Sequence, residues 1–204
     1  RGQPAKAIGH YRSVFDREPS TMLAMTLAQA YAANREPLKG VSLLEGWSRQ
    51  HPRDKVAARA LADLQLYAGQ SQAARQGYEA LVKSNPNDPA LLAAYADTLF
   101  ALKDPQALPT MERAFKLAPS NAAIADAYGW ALVQAGSLDA GVRVLRGVRL
   151  RDPANTQVRW HLAAALAKSG KKAEAKLELQ AALAGTPPPR PGPELDQLKV
   201  ELGL

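Results

Sequence analysis

The stretch Leu162–Leu183, LAAALAKSGKKAEAKLELQAAL, decides the fold, because Ser169 and Gly170 interrupt a run of good helix formers. A glycine inside one long helix costs about 1 kcal/mol relative to alanine. A helix that ends at a left-handed glycine, and is followed at once by an antiparallel helix, needs a glycine at that point. The stretch therefore predicts a helical hairpin that turns at Gly170.

The same pattern recurs along the chain with a regular spacing. Alanine or glycine stands twelve residues before each of six prolines, and a large apolar residue stands eight residues before each. The small residue lets two helices approach closely, the large one fills the space beside the crossing, and proline ends the helix. These columns predict a tandem array of helical hairpins. The prolines are 33 or 34 residues apart: Pro19, Pro52, Pro86, Pro119, Pro153 and Pro187.

The columns resemble the tetratricopeptide repeat, a 34-residue pattern with a large-small pair, a turn glycine and a closing proline. The resemblance implies an all-α fold, an α-solenoid in which helix-turn-helix repeats build a right-handed superhelix. Two turns depart from the pattern, with Arg35-Glu36-Pro37 and Lys103-Asp104-Pro105 in place of glycine. The predicted segments are the second helix of a truncated repeat at 1–20, five repeats within 21–187 (21–53, 54–87, 88–120, 121–154 and 155–187), and a proline-rich linker with a short capping helix at 188–204.

Composition and motifs argue against catalysis. The chain has no cysteine, which excludes disulfides and thiolate metal sites. Gly136–Gly141 has the glycine spacing of a phosphate loop but lacks its lysine. The three histidines fall in different repeats, without a ligand partner at helical spacing. We therefore expect a protein that is not an enzyme, with no metal and no cofactor.

The family resemblance also implies a binding surface, because first helices of such repeats line a concave groove. The expected function is a non-catalytic scaffold that holds a protein or peptide partner there. Trp130 and Trp160 are either interface anchors or packing residues between neighbouring repeats. The predicted groove residues are Arg59, Asp63, Tyr67, Asp97, Phe100, Asp126, Trp130 and Trp160.

The chain carries a formal charge of +7, and an alternative function places an anionic polymer on its convex face. The polymer would be an exopolysaccharide, a lipid headgroup or nucleic acid. Nucleic acid is not expected, because aromatic side chains are not interleaved with the basic ones. A solvated outer face explains the same residues without any ligand. This predicted basic patch consists of Arg143, Arg146, Arg149, Lys171, Lys172 and Lys176.

A narrower resemblance concerns Asp126–Gly147 and Val158–Gln180. Both segments are similar to the C-terminal repeats of the tetratricopeptide lipoprotein of bacterial exosortase (PEP-CTERM) exopolysaccharide systems. That resemblance implies the periplasm or bacterial envelope, with a role in polysaccharide assembly or export. Membrane association would come only through an N-terminal anchor outside this sequence. The alternative location is the cytoplasm.

Overall fold

The computed structural model describes residues 3–204, with side chains from Ala5 onward. Within this range the chain forms twelve α-helices and no strand, which confirms the predicted all-α fold. The helices are α1 (Gln3–Phe15), α2 (Thr21–Ala33), α3 (Pro37–Gln50), α4 (Lys55–Tyr67), α5 (Ser71–Ser84), α6 (Pro89–Ala101), α7 (Ala107–Leu117), α8 (Ala122–Gln134), α9 (Leu138–Arg151), α10 (Thr156–Lys168), α11 (Lys172–Ala184) and α12 (Pro193–Leu202).

The helices form two compact units, unit 1 ending at Ala107 and unit 2 beginning at Leu108. In unit 1, each helix from α1 to α6 packs on the next, and α2 also contacts α4. In unit 2, α8 to α12 pack in the same order, and α8 also contacts α10. Each of the five predicted repeat intervals contains two helices. The predicted segment 1–20 contains α1, and its first two residues lie outside the described residues.

The second helices present the predicted small and large columns to the core. Two members of the small column are glycines, and both lie at close helix crossings. A Cβ at Gly40 would lie 2.7 Å from the Ala28 carbonyl oxygen, and one at Gly141 would lie 2.9 Å from the Gly129 carbonyl oxygen. Both contacts are with backbone, so the neighbour cannot move aside cheaply. The large residues are at most 1% exposed from the second occurrence onward: Leu44, Tyr78, Met111, Leu145 and Leu179.

The first helix of each hairpin (α2, α4, α6, α8 and α10) begins with an N-capping residue, and these residues form a further column that was not predicted from the sequence. In each case a Ser, Asp or Asn side chain accepts a hydrogen bond from a backbone N–H in the first helical turn. Such a cap contributes about 1 kcal/mol. The residues recur every 33 or 34 positions, so the period alone could have located them. They are Ser20 (α2), Asp54 (α4), Asp88 (α6), Asn121 (α8) and Asn155 (α10).

Asp54 also ties consecutive hairpins together. Its carboxylate accepts hydrogen bonds from the Thr21 hydroxyl at 2.5 Å and from the Trp47 indole N–H at 3.1 Å. Burial opposes ionisation of this carboxyl, but the bonds from Thr21, the Ala57 backbone and Trp47 outweigh it and lower the pKa of Asp54. The cap is therefore a charged junction between α2, α3 and α4.

The hairpin turns require a left-handed residue whether or not glycine is present. Gly69, Gly136 and Gly170 have φ between 77° and 83°. In the two departing turns, Arg35 and Lys103 take the same conformation, with φ of 63° and 55°. The geometry of the turn is thus imposed by the packing of the two helices, and side chains are accommodated at a cost.

Replacing Arg35 or Lys103 with glycine is expected to raise the free energy of unfolding by about 1 kcal/mol, because a Cβ disfavours the left-handed region by about that amount. Gly136→Ala should lower the same quantity by a similar amount. Urea denaturation of the three variants measures both effects. A loss of stability on introducing glycine would show that these turns gain more from the side chain than from backbone freedom.

The C-terminal segment is docked on the last hairpin. Leu195, Leu198 and Leu202 of α12 are buried in the hydrophobic cluster that also contains residues of α8, α9, α10 and α11. Upstream of α12, the Thr156 hydroxyl donates a hydrogen bond to the Pro187 carbonyl oxygen at 2.6 Å. The apolar stripe of α12 therefore faces the core of unit 2.

Candidate interaction surfaces

Unit 1 contains a cavity between its first helices. It has a volume of about 230 Å³ and lies between α2 and α4, with α3 beneath. Six of the nine lining residues are alanine, leucine or methionine, and only three carry polar atoms on the side chain. A cavity of this composition can accept an apolar side chain. The lining residues are Met25, Ala28, Gln29, Ala32, Leu44, Ala60, Asp63, Leu64 and Tyr67.

Three of the predicted groove residues lie at this cavity or beside it. Asp63 and Tyr67 line it, and the Tyr67 side chain is 70% exposed. The Arg59 Nε atom lies 4.0 Å from Asp63 Oδ2 on the same helix, and both side chains remain partly exposed. Ion pairs of this kind contribute little to stability, so both charged groups remain accessible to a partner.

A buried tyrosine lies near two acidic side chains of unit 1. The Tyr78 hydroxyl donates a hydrogen bond to Asp63 Oδ1. Burial, the bond to Asp63 and the nearby charge of Asp97 raise the pKa of Tyr78, so the hydroxyl keeps its proton and acts as a donor. Asp97 stays accessible at the surface, but desolvation by surrounding protein raises its pKa to about 6. At neutral pH the first-helix face of unit 1, formed by α2, α4 and α6, thus carries two carboxylates.

Phe100, also predicted for the groove, is partly buried on α6.

Two of the three predicted groove residues of unit 2, Trp130 and Trp160, form an aromatic cluster with His161. Trp130 stacks on His161 with ring centroids 4.6 Å apart and an interplanar angle of 12°. Trp160 packs at an angle against both rings, 5.3 Å from each. The Lys168 ammonium lies 5.7 Å from the centre of the Trp130 ring. The cluster occupies the space between α8 and α10.

Burial changes the interpretation of two of these residues. Trp160 is 5% exposed and Asp126 is 9% exposed, so neither is available as a contact residue on an open surface. Both are packing residues of unit 2. The 34-residue period brings neighbouring columns of α8 and α10 together, and bulky residues there fill the space between the helices. Trp130 remains partly exposed and is the one member of the predicted set in unit 2 that a partner could reach.

His161 is buried and contacts Asp126, and this contact was not predicted from the sequence. Its Nδ1 lies 2.8 Å and 2.9 Å from the two carboxylate oxygens of Asp126, and its Nε2 lies 3.0 Å from Gln157 Nε2. These partners assign a proton to Nδ1 and leave Nε2 as an acceptor. Gln157 Oε1 in turn accepts from the Arg190 backbone N–H at 3.2 Å. In the sequence, the contact between Asp126 and His161 was indicated only by their spacing of 35 residues, which is one repeat plus one residue.

The predicted basic patch lies on α9, on α11 and at the N-cap of α11, and part of its charge is neutralised. Arg146 pairs with Glu174 at 2.5 Å, and Arg149 pairs with Glu178 at 2.9 Å. Lys172 lies 3.7 Å from Glu201, and the Lys176 ammonium donates to the Gly203 carbonyl oxygen at 3.3 Å. Arg143 and Lys171 are exposed. Three of the six predicted cations thus pair with a carboxylate, which lowers the positive potential of this face, whereas the hydrogen bond of Lys176 to a carbonyl oxygen leaves its charge in place.

The described residues show neither a metal-binding cluster nor a membrane-spanning helix. Within residues 3–204, no group of three or more His, Cys, Asp or Glu side chains is arranged to hold a metal ion. In the same range, every helix is too short or too polar to cross a membrane.

The repeat columns are matched by a family model. The model of the tetratricopeptide repeat matches residues 59–107 and 127–191, together more than half of the chain. The chain therefore belongs to the tetratricopeptide repeat family. No curated protein matches it.

Solved structures share the fold. A tetratricopeptide repeat protein from Parabacteroides merdae superposes with a TM-score of 0.79 at 14% identity, over 98% of this chain and 79% of that one. TTC0263, a thermophilic TPR protein from Thermus thermophilus, gives 0.72 at 21% identity, over 90% and 97%. YrrB, described as a TPR protein with an unusual peptide-binding site, gives 0.58 at 16% identity, over 87% and 92%. At these identities the likeness shows the α-solenoid fold of helix-turn-helix repeats.

Proposed function

We propose that the chain is a non-catalytic interaction scaffold that binds a peptide segment of a partner protein on the first-helix face of unit 1. The cavity of about 230 Å³ between α2 and α4 carries this proposal. Membership of the tetratricopeptide repeat family supports it, as does the likeness to YrrB, whose description includes a peptide-binding site.

The cavity and its rim specify the chemistry of the peptide. One large apolar side chain would enter the cavity and pack against its methionine, leucine and alanine walls. The exposed ring of Tyr67 would cover that side chain from the rim. A lysine or arginine a few residues away would face Asp63 and Asp97, whose charges set register and association rate more than affinity.

A random peptide library displayed on phage, selected against the chain, tests the proposal. We expect enrichment of peptides with a large apolar residue next to lysine or arginine. Tyr67→Ala should weaken a selected peptide about tenfold or more, because an exposed aromatic at a pocket rim is typical of binding hot spots. Ala60→Leu, which fills the cavity, should weaken it further. Isothermal titration calorimetry gives the affinities.

The matched control is Met22→Ala on α2, since Met22 is 77% exposed and does not line the cavity. Circular dichroism establishes that all three variants keep their helices. Equal affinity of the wild type, Tyr67→Ala and Ala60→Leu for the selected peptides would place the binding site elsewhere.

We propose separately that the protein works in the bacterial envelope, in polysaccharide assembly or export. The support is the similarity of Asp126–Gly147 and Val158–Gln180 to the repeat-rich lipoprotein of exosortase systems. Fractionation of the source organism with an antibody to this chain tests the location. Recovery in the cytoplasmic fraction would contradict the proposal and leave the peptide-binding function unaffected.

A further inference from the structure

Unit 2 has an opening on the face formed by its second helices α9 and α11. The opening has a volume of about 300 Å³. Its floor is formed by Leu162 and Leu166 of α10, which are at most 2% exposed. Leu150 on α9 and Leu177 on α11 flank it and are 73% and 67% exposed. Two leucines are thus presented to solvent on either side of a depression that has an apolar floor.

The two walls of this opening carry opposite charges. Arg146 and Arg149 stand on α9, and Glu174 and Glu178 stand on α11. The pairs Arg146–Glu174 and Arg149–Glu178 show that residue numbers increase in the same direction along both helices, so the helices run parallel.

The same pairing sets the heights of the two leucines. An offset of 28 or 29 residues places Leu177 within about two residues of Leu150 along the helix axis, or about 3 Å. Each wall therefore has one exposed leucine at the same level, next to two charges of one sign.

We propose that this face is an interface between two copies of the chain, related by a twofold axis parallel to α9 and α11. Rotation about such an axis places α9 of one copy over α11 of the other. Leu150 then meets the Leu177 position of the second copy, and the basic wall meets the acidic wall. An axis perpendicular to the helices would oppose arginine to arginine, so the charge pattern selects the parallel axis.

Self-complementarity is what an isologous contact requires, because the same patch must serve on both sides. The basic wall on α9 and the acidic wall on α11 make this face self-complementary without any further residue. Arg146 and Glu174 are 46% and 54% exposed and can exchange partners across the interface. Glu178 is largely buried between Arg149 and Arg159 and contributes only the sign of its wall. The apolar area is small, so we expect a weak, reversible dimer. This proposal is independent of the peptide-binding function of unit 1.

Sedimentation equilibrium of the full chain, from about 10 µM to about 1 mM, measures the association. We expect dimer to increase with concentration. Leu150→Lys and Leu177→Lys should each weaken dimerisation at least tenfold. Met22→Lys, which changes an equally exposed residue of unit 1, should leave it unchanged. A chain that stays monomeric throughout this range would overturn the proposal.

Disulfide cross-linking tests the symmetry, because the chain has no native cysteine. Leu150→Cys and Leu177→Cys are prepared separately, mixed and oxidised. A disulfide needs Cα atoms about 4.4–6.8 Å apart, so at equal concentrations of the two variants we expect the mixed product to exceed each self-linked product by far more than the roughly twofold excess of random pairing. An excess of about twofold or less would reject the parallel axis. Monomers that bind heparin, and lose it on Arg143→Glu with Arg146→Glu, would assign the face to an anionic polymer.

Discussion

Replacing Gly141 with leucine is expected to lower the free energy of unfolding by about 3 kcal/mol through overpacking. Already a Cβ at this position would lie 2.6 Å from Val133 Cγ2 and 2.9 Å from the Gly129 carbonyl oxygen. Because one of these neighbours is backbone, relief requires α8 and α9 to separate. Gly141→Ala should therefore destabilise as well, by a smaller amount, although alanine is the better helix former.

The matched control is Gly147→Ala in the same helix. The nearest atom to a Cβ there is Arg151 Nη1 at 4.0 Å, so the methyl group enters free space. This variant should gain about 1 kcal/mol from helix propensity alone. Urea denaturation of the wild type and the three variants gives the free energies. A change of the same sign for Gly141→Ala and Gly147→Ala would contradict the close crossing.

Trp160→Ala is expected to lower the free energy of unfolding by about 3–5 kcal/mol, the range for a buried tryptophan. The side chain is 5% exposed and packs against Trp130 and His161, so its removal leaves a cavity inside unit 2. Thermal and urea denaturation measure the effect. Trp160→Phe keeps part of the aromatic packing and should lose much less.

The same variants separate packing from recognition. If Trp160 were an interface anchor, Trp160→Ala would keep its stability and lose affinity for peptides selected against the chain. That outcome would contradict its assignment as a packing residue. Trp130→Ala is the informative comparison, because Trp130 is partly exposed and also stacks on His161.

The repeat and its core were determined by the sequence. Size alternation every 33 or 34 residues specifies which helical faces meet, and such local patterns depend on little beyond the period of the α-helix. The same period also contained the N-cap column from Ser20 to Asn155, which needed only a search for Ser, Asp and Asn before each first helix. Arg35 and Lys103 show that the residue type alone does not reveal every left-handed turn, because helix packing imposes this conformation there without glycine.

The surfaces were decided by the tertiary structure. The position of a residue in a repeat column predicts which helical face its side chain occupies. The solvent exposure of that side chain depends on the size of its neighbours on the adjacent helix. Small neighbours leave the cavity beside Asp63 and Tyr67 open, whereas tryptophan and histidine fill the corresponding space in unit 2.

The ion pairing of charged side chains on the second helices α9 and α11 was also decided by the tertiary structure. The sequence showed a run of arginines on α9, but their partners Glu174 and Glu178 stand 28 and 29 residues away on α11. Whether a cation is free or paired depends on distances of a few ångströms between side chains of different helices. A linear pattern carries no such distance, so only the packing of α9 beside α11 could turn a predicted basic patch into a surface with one basic and one acidic wall.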